Sequence, residues 1–134
     1  MVNDPVSDML IRIKNAQAVK KEQVLVPFSN LKFKIAAVLK KSGFIGDIER
    51  KKGKGKKGEH EYLCLSLKYE DKLPLLSDFK IISKPSRHMY MKAKDIKLIR
   101  SGYGMAVIST NKGVMSSKEA RKQNLGGEIL FEVW

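Results

Sequence analysis

The chain has 134 residues, 43% of them hydrophobic and 31% charged, and 27 lysines and arginines against 14 acidic residues give it a formal charge of +13. This length suits one ordinary domain or two very small ones, and the apolar content excludes wholesale disorder. The charge is spread evenly, with 14 basic and 7 acidic residues through residue 67 and 13 and 7 beyond it. Such a surplus is typical of a protein that binds a polyanion, nucleic acid above all.

The single cysteine and the N-terminal sequence indicate the cellular compartment in which the protein works. Cys64 stands between Leu63 and Leu65, so a buried strand position and a reducing compartment are predicted. The N-terminus shows no basic region followed by an apolar run, so we expect no secretory signal. No apolar stretch approaches the roughly 18 residues that span a bilayer, so no membrane association is expected.

The first predicted elements are a helix and a strand. Asp4 suits a helix cap and Pro5 the first helical position. Apolar residues then recur at helical spacing at Val6, Met9, Leu10, Ile13 and Ala16. A strand is predicted over 23–28, where valine and leucine are enriched.

A second helix is predicted to follow. Ser29 or Asn30 can cap its start, and Gly43 suits its C-terminal end. Its predicted apolar face consists of Leu31, Ile35, Val38 and Leu39. Lysines are predicted on its other sides, namely Lys32, Lys34, Lys40 and Lys41.

Two strands, over 44–49 and 62–69, complete the N-terminal half. Glycine and like charge fill residues 50–58 between them, which predicts a mobile hairpin tip. Residues 70–74 break the apolar pattern and end in a proline, which marks them as the best domain boundary.

The C-terminal half reads as mostly strand. Extended segments are predicted over 79–83, 89–91, 105–109 and 128–134, the last with Ile129, Phe131 and Val133 on one face. Ser116 to Glu119 matches a capping box, so a short helix is predicted over 119–122. We therefore predict an α+β protein of two small α/β domains in tandem. Residues 1–70 form an α-β-α-β-β domain, and 77–134 form a mostly-β domain with one short helix.

The sequence contains little that is typical of a catalytic or metal-binding site. His60 and His88 are 28 residues apart without neighbouring ligands, so both are interpreted as surface histidines. No nucleophile elbow, phosphate-binding loop or dinucleotide fingerprint occurs. We therefore predict no enzyme, no cofactor, no metal and no small-molecule substrate.

A polar cluster ends the buried strand of the C-terminal half. Ser109, Thr110, Asn111 and Lys112 follow one another, and Glu128 comes after a glycine pair. Short polar side chains at a strand end usually bond their own backbone, which is the first interpretation. The second is RNA binding, in which Glu128 accepts from base amino groups or fixes the hydroxyls.

A second candidate cluster lies upstream. Lys84, Ser86 and Arg87 are predicted phosphate contacts, since guanidinium bonds phosphate with two hydrogen bonds. Tyr90 either stacks on an unpaired base or belongs to the core, and the pattern favours neither. In the N-terminal half, Arg12, Asn15, Ser29 and Lys32 complete the predicted RNA-binding residues.

Ordered blocks along the chain carry a family resemblance. They are Asn3-Asp4-Pro5 with Asp8-Met9-Leu10, the run from Leu31 to Ile45, Ile108-Ser109-Thr110, Gly113-Val114-Met115, Glu119-Ala120-Arg121 and Gly126-Gly127-Glu128. On these residues the chain resembles the bacterial small-subunit ribosomal protein eight family over nearly its full length. Asn111 stands where the family usually has a third hydroxyl, and Ser86-Arg87 where it commonly has Gly-Leu.

The resemblance implies a structural, non-catalytic role on the cytoplasmic ribosome. It implies two tandem domains and direct binding to a helix in the central domain of small-subunit ribosomal RNA. The family's contacts transfer to Ser109, Thr110, Asn111, Tyr90 and Glu128. It also implies contact with ribosomal protein five and, as in some bacteria, repression of the protein's own operon messenger.

A DNA-binding architectural protein is the alternative that the charge leaves open. It would prefer duplex DNA over structured RNA in direct competition. The sequence lacks the apolar wedge or recognition-helix pattern typical of that class.

Overall fold

The computed structural model describes residues 4–53, 61–96 and 104–134. Helices and antiparallel sheets are mixed, which confirms the predicted α+β class. The chain divides into two units, one of residues 5–75 and one that includes residues 76–134. Each has its own sheet, and each is described by itself below.

The first unit follows the predicted order of helices and strands. Its elements are α1 (Pro5–Ala18), β1 (Gln23–Pro27), α2 (Asn30–Lys41), β2 (Ile45–Lys52), β3 (Glu61–Leu67) and the short hairpin strands β4 (Tyr69–Glu70) and β5 (Leu73–Pro74). The larger sheet is antiparallel with β3 in the centre, in the order β1-β3-β2. Helix α1 begins at Pro5 as predicted and buries Met9, Leu10, Ile13 and Ala16. Cys64 of β3 is buried, as predicted.

Helix α2 has the predicted ends but a different buried face. The Ser29 hydroxyl accepts a hydrogen bond from the Lys32 backbone N–H at 3.1 Å, and Gly43 follows the helix at a φ of +86°. The buried stripe comprises Lys32, Ile35, Ala36 and Leu39. Leu31 is 40% exposed whereas Lys32 is only 6% exposed, so the predicted placement of these two residues was wrong.

Helical spacing explains why Lys32 is buried. Lys32 lies three residues before Ile35 and seven before Leu39, so it continues their stripe, and a lysine stem is apolar enough to pack there. Burial lowers the pKa of Lys32, the Asp8 carboxylate opposes this shift, and Arg12 adds to it. The positive charge of Lys32 therefore lowers the stability of the folded state.

Strand β2 is longer than predicted. Arg50, Lys51 and Lys52 pair with β3 residues 63, 62 and 61, so their prediction as part of a hairpin tip was wrong. The Arg50 guanidinium is 2.6 Å from a Glu61 carboxylate oxygen and lies 4.0 Å from the centre of the Phe28 ring. Pairing and this ion pair outweigh the like charge of the run. Of the rest of the predicted tip, 53–58, residues 54–58 lie outside the described residues.

The second unit is built around one long strand. Its elements are β6 (Phe79–Ile81), β7 (Tyr90–Met91), a 3₁₀ turn (Ala93–Asp95), β8 (Met105–Thr110), β9 (Gly113–Ser116), α3 (Ser117–Lys122) and β10 (Gly127–Val133). The sheet order is β6-β10-β8-β9, and β7 also pairs with β10. The alternation predicted for β10 is confirmed, since Ile129, Phe131 and Val133 are buried. The Ser116 hydroxyl caps α3 through the Glu119 N–H at 3.2 Å, as predicted.

Two features of this chain were not predicted as such. Strand β9 was not predicted. It pairs with β8 to form a β-hairpin that turns between Thr110 and Gly113. The segment 70–74, where the apolar pattern breaks, contains a tight hairpin in which Asp71 and Lys72 have φ values of 52° and 68°.

The buried charge of Lys32 gives a stability prediction. Lys32→Met keeps the stem and removes the charge, so we expect the free energy of unfolding to rise by about 1 kcal/mol near pH 7. The unfolded chain holds this proton more tightly than the folded chain does. The cost is therefore full below the lowered pKa, and the gain should shrink as pH rises towards 10.5. Urea unfolding at several pH values measures this.

Lys34→Met is the matched control because Lys34 is exposed on the same helix. It should change the free energy of unfolding by less than about 0.5 kcal/mol. Equal effects of the two variants at every pH would contradict the account of Lys32.

Candidate nucleic-acid interface

Three predicted site residues form one row across the second sheet. In the register of β10 with its two neighbours, Glu128 lies opposite Tyr90 of β7 and opposite Ser109 of β8. Directly opposed residues of antiparallel strands point to the same face. The structure therefore brings together three side chains that are far apart in sequence.

A glycine pair makes this row possible. A Cβ at Gly127 would collide with the Ser109 carbonyl oxygen, and one at Gly126 would lie 2.5 Å from the Met91 carbonyl oxygen. Because backbone atoms cannot give way as a flexible side chain can, both positions require glycine. The glycine pair is what lets β7 and β8 approach β10.

The row lines a concavity of about 790 Å³ on this unit. Its lining combines predicted and unpredicted residues, namely Tyr90, Met91, Lys92, Ala93, Ser109, Asn111, Asn124, Leu125, Gly126, Gly127 and Glu128. Tyr90 is 73% exposed, which excludes the interpretation of this side chain as a core tyrosine. The site thus offers an aromatic face, amides, a hydroxyl and a carboxylate in one depression.

The polar cluster after β8 is the turn of a hairpin. Thr110 pairs with Gly113, and its hydroxyl donates to the Gly113 carbonyl at 2.8 Å and accepts from the Lys112 N–H at 3.1 Å. The interpretation as a self-bonded turn therefore holds for Thr110. Asn111 and Lys112 are exposed at the tip, and Ser109 is partly exposed. Among the described residues, the Ser109 hydroxyl has no recorded hydrogen-bond partner.

The upstream cluster is a second tight turn. Lys84 and Arg87 exchange two backbone hydrogen bonds of 2.9 Å, with Ser86 at the tip, and all three are exposed. The Ser83 hydroxyl anchors the segment by donating to the Ile129 carbonyl at 2.5 Å and accepting from the Met89 N–H at 2.9 Å. Both basic side chains are therefore presented to solvent from an anchored loop.

The sequence analysis did not predict the contact that His88 makes beside the candidate site. Its Nδ1 is 2.6 Å from Oε2 of Glu128, 40 residues away along the chain. The interpretation as a surface histidine is correct for its exposure, since its side chain is 53% exposed, but it overlooked this partner. One signal was available, because residues two apart on an extended segment share a face and Tyr90 was already a candidate.

Of the predicted RNA-binding residues in the first unit, two line a concavity and two have structural roles in α2. Arg12 and Asn15 line a concavity of about 650 Å³ together with Lys51, and Arg12 also pairs with Asp8 at 2.9 Å. Ser29 serves as the cap of α2. Lys32 is only 6% exposed, so most of its side chain is covered by the rest of the unit.

Within residues 4–53, 61–96 and 104–134, no group of three or more His, Cys, Asp or Glu side chains could hold a metal ion. In the same part of the chain, no helix is both long and apolar enough to cross a membrane.

Known proteins similar to this chain agree on one description. The family model for ribosomal protein S8 matches residues 4–134. The small ribosomal subunit protein uS8 of Persephonella marina is 44% identical over 137 aligned residues, which cover all of both chains. Those of Mycoplasma mobile and Syntrophus aciditrophicus are 43% and 46% identical, and each alignment covers at least 99% of this chain and 98% of the relative.

The hairpin turn gives a prediction that separates its two hydroxyls. Thr110→Ala removes two hydrogen bonds, so we expect the free energy of unfolding to fall by roughly 1–2 kcal/mol. Ser109→Ala removes none among the described residues and should change it by less than about 0.5 kcal/mol. Urea unfolding of both variants tests this.

Thr110→Ser is the matched control, because it keeps the hydroxyl and should retain most of the lost stability. If Ser109→Ala destabilised the protein as much as Thr110→Ala, the assignment of the turn to Thr110 would be wrong.

Proposed function

The chain belongs to the ribosomal protein S8 family, and on that premise we propose that it is a structural protein of the small ribosomal subunit that binds ribosomal RNA directly. One observation carries the choice of surface. Tyr90, Glu128 and Ser109 lie in a row across three strands and line a concavity together with Asn111 of the β8–β9 turn.

The two turns supply the electrostatic part of binding. Lys84 and Arg87 are exposed on one, and Lys112 is exposed on the other. Cations at these positions neutralise phosphates and release counterions, which gives affinity without regard to sequence. This part of the interaction holds the RNA against the surface and makes binding sensitive to salt.

The concavity supplies the selective part. Tyr90 offers an exposed ring on which an unpaired base can stack. Glu128 accepts hydrogen bonds from base amino groups, whereas Ser109 and Asn111 can both donate and accept. Regular A-form RNA hides most base edges from side chains, so the favoured ligand is an irregular helix with displaced bases.

The first unit contributes a second set of contacts in this proposal. Arg12, Asn15 and Lys51 line one concavity, which suits a sugar–phosphate backbone. Ser29 and Lys32 support this unit from within, since one caps α2 and the other packs on its buried stripe.

The finer assignments stay predictions. They are the RNA helix in the central domain, contact with ribosomal protein five and repression of the protein's own operon messenger. The family relationship favours a non-catalytic role, since the relatives are named as ribosomal proteins. A DNA-binding role is the competing assignment that the following experiment also decides.

Removing selective contacts should weaken binding without changing its salt dependence. We expect Tyr90→Ala and Ser109→Ala each to cost roughly 1–3 kcal/mol in affinity for the hairpin carrying the irregular central-domain helix. The slope of log affinity against log salt should be nearly unchanged, because no cation is lost. Filter binding across a salt series measures both quantities.

Tyr90→Phe is the control, since it keeps the stacking ring and should retain most of the affinity. Duplex DNA of equal length is the competitor. If DNA displaced the hairpin at equal concentration, the proposed function would be wrong. If Tyr90→Ala and Ser109→Ala both bound like the wild type, the proposed surface would be wrong.

Removing cations should instead change the salt dependence of binding. Lys84→Gln with Arg87→Gln is expected to weaken specific and non-specific RNA alike and to reduce the salt slope by up to about 1.8. Lys80→Gln, an exposed cation on β6, is the control and should reduce the slope little. An unchanged slope in the double variant would remove this turn from the interface.

A further inference from the structure

An acidic side chain on a surface proposed to bind RNA calls for an explanation. Glu128 lies between Tyr90 and Ser109, and Lys92 lines the same concavity. A free carboxylate there would repel the phosphates that the neighbouring cations attract. The structure shows the partner of this carboxylate, since Nδ1 of His88 is 2.6 Å from Oε2 of Glu128.

Backbone contacts on both sides hold this pair in place. The Ile129 N–H donates to the Met89 carbonyl at 2.8 Å, and Ser83 joins the same two segments through its hydroxyl. His88 and Glu128 directly precede Met89 and Ile129, so their positions on the two segments are coupled. The Glu128 side chain is 20% exposed and that of His88 is 53% exposed, so the carboxylate is the more buried partner of the pair.

The contact fits both charge states of histidine. A neutral ring with its proton on Nδ1 donates to Glu128, and a protonated ring does the same while adding a positive charge. In the protonated state, Nε2–H becomes a second donor that can reach phosphate. Only the charge and this outer donor change, while the carboxylate stays oriented.

The neighbouring charges set the sign of the effect. The titratable and charged groups lining the concavity with Glu128 are Tyr90 and Lys92, and Arg87 is adjacent to His88 in sequence. Histidine is the side-chain type whose charge ordinarily changes between about pH 5 and 8. Proton uptake at His88 therefore makes the surface more favourable for RNA.

We propose that His88 orients the Glu128 carboxylate on the RNA-binding face and makes RNA affinity rise as His88 takes up a proton. This inference rests on the proposed function and adds to it a positioning residue and a proton-linked phosphate contact. Neither follows from the family relationship, and both follow from the contact between β10 and the segment before β7.

The first experiment measures affinity of the full chain for the RNA hairpin between about pH 8 and pH 6 at constant salt. We expect wild-type affinity to rise over this range by roughly three- to tenfold more than that of His88→Gln. His88→Arg keeps a cation beside Glu128 at every pH, so its affinity should stay high and vary little. His60→Gln removes the other histidine of the sequence and should keep the wild-type dependence.

The second experiment needs no RNA. Imidazole ¹⁵N chemical shifts of the full chain report which ring nitrogen carries the proton. In the wild type, we expect neutral His88 to carry its proton on Nδ1. In Glu128→Gln, we expect His88 to lose this preference for Nδ1. Thermal unfolding of each variant establishes that it is folded before either measurement.

The outcomes distinguish the two proposals. Absence of hairpin binding at every pH would overturn the proposed function, while the ¹⁵N shifts would still test the pairing. Equal pH dependence in the wild type and His88→Gln would overturn the proton linkage. A proton on Nε2 in wild-type His88 would overturn its role in orienting Glu128.

Discussion

The register of β10 against its neighbours is the constraint on which the candidate site depends. Glu128 lies opposite Tyr90 on one side and opposite Ser109 on the other, so one strand gathers three distant side chains. This arrangement needs backbones closer than a side chain allows, and Gly126 and Gly127 provide that space. Because successive strand residues alternate between faces, a slip of one residue would turn Glu128 away from this surface.

The same strand links the site to the stability of its unit. Ile129, Phe131 and Val133 alternate with the surface residues and are buried, so packing holds β10 in its register. The turns on either side carry the polar and charged groups, and each is closed by its own hydrogen bonds. Binding groups therefore lie on loops whose ends are fixed by a packed sheet, which reduces the conformational entropy lost on binding.

Local signals in the sequence predicted much of the fold. Ser29 and Ser116 cap helices, Gly43 ends one, and β10 alternates as its pattern indicates. These features depend on residues within one or two turns of each other. Strand β9 was missed because it covers only Gly113–Ser116 and derives its order from pairing with β8.

The features that could not be predicted depend on contacts between residues far apart in the sequence. The spacing of His88 from Tyr90 is a local signal, but it does not identify Glu128, 40 residues away, as the partner of His88. The pairing of Arg50 with Glu61 across a basic run has no local signal either. Lys32 was placed on the surface because of its charge, although its spacing from Ile35 and Leu39 puts its stem in the core. The candidate site was predicted as separate clusters, and the sheet register is what joins Tyr90, Ser109 and Glu128.

The central claim is that the face formed by β7, β10 and the β8–β9 turn contacts folded RNA. The most direct measurement is an NMR titration of the ¹⁵N-labelled chain with the RNA hairpin, read at each backbone amide. The account predicts that the largest shift changes fall on residues 84–92, 109–112 and 126–128. Changes confined to other surfaces, with these amides unmoved at saturating RNA, would contradict it.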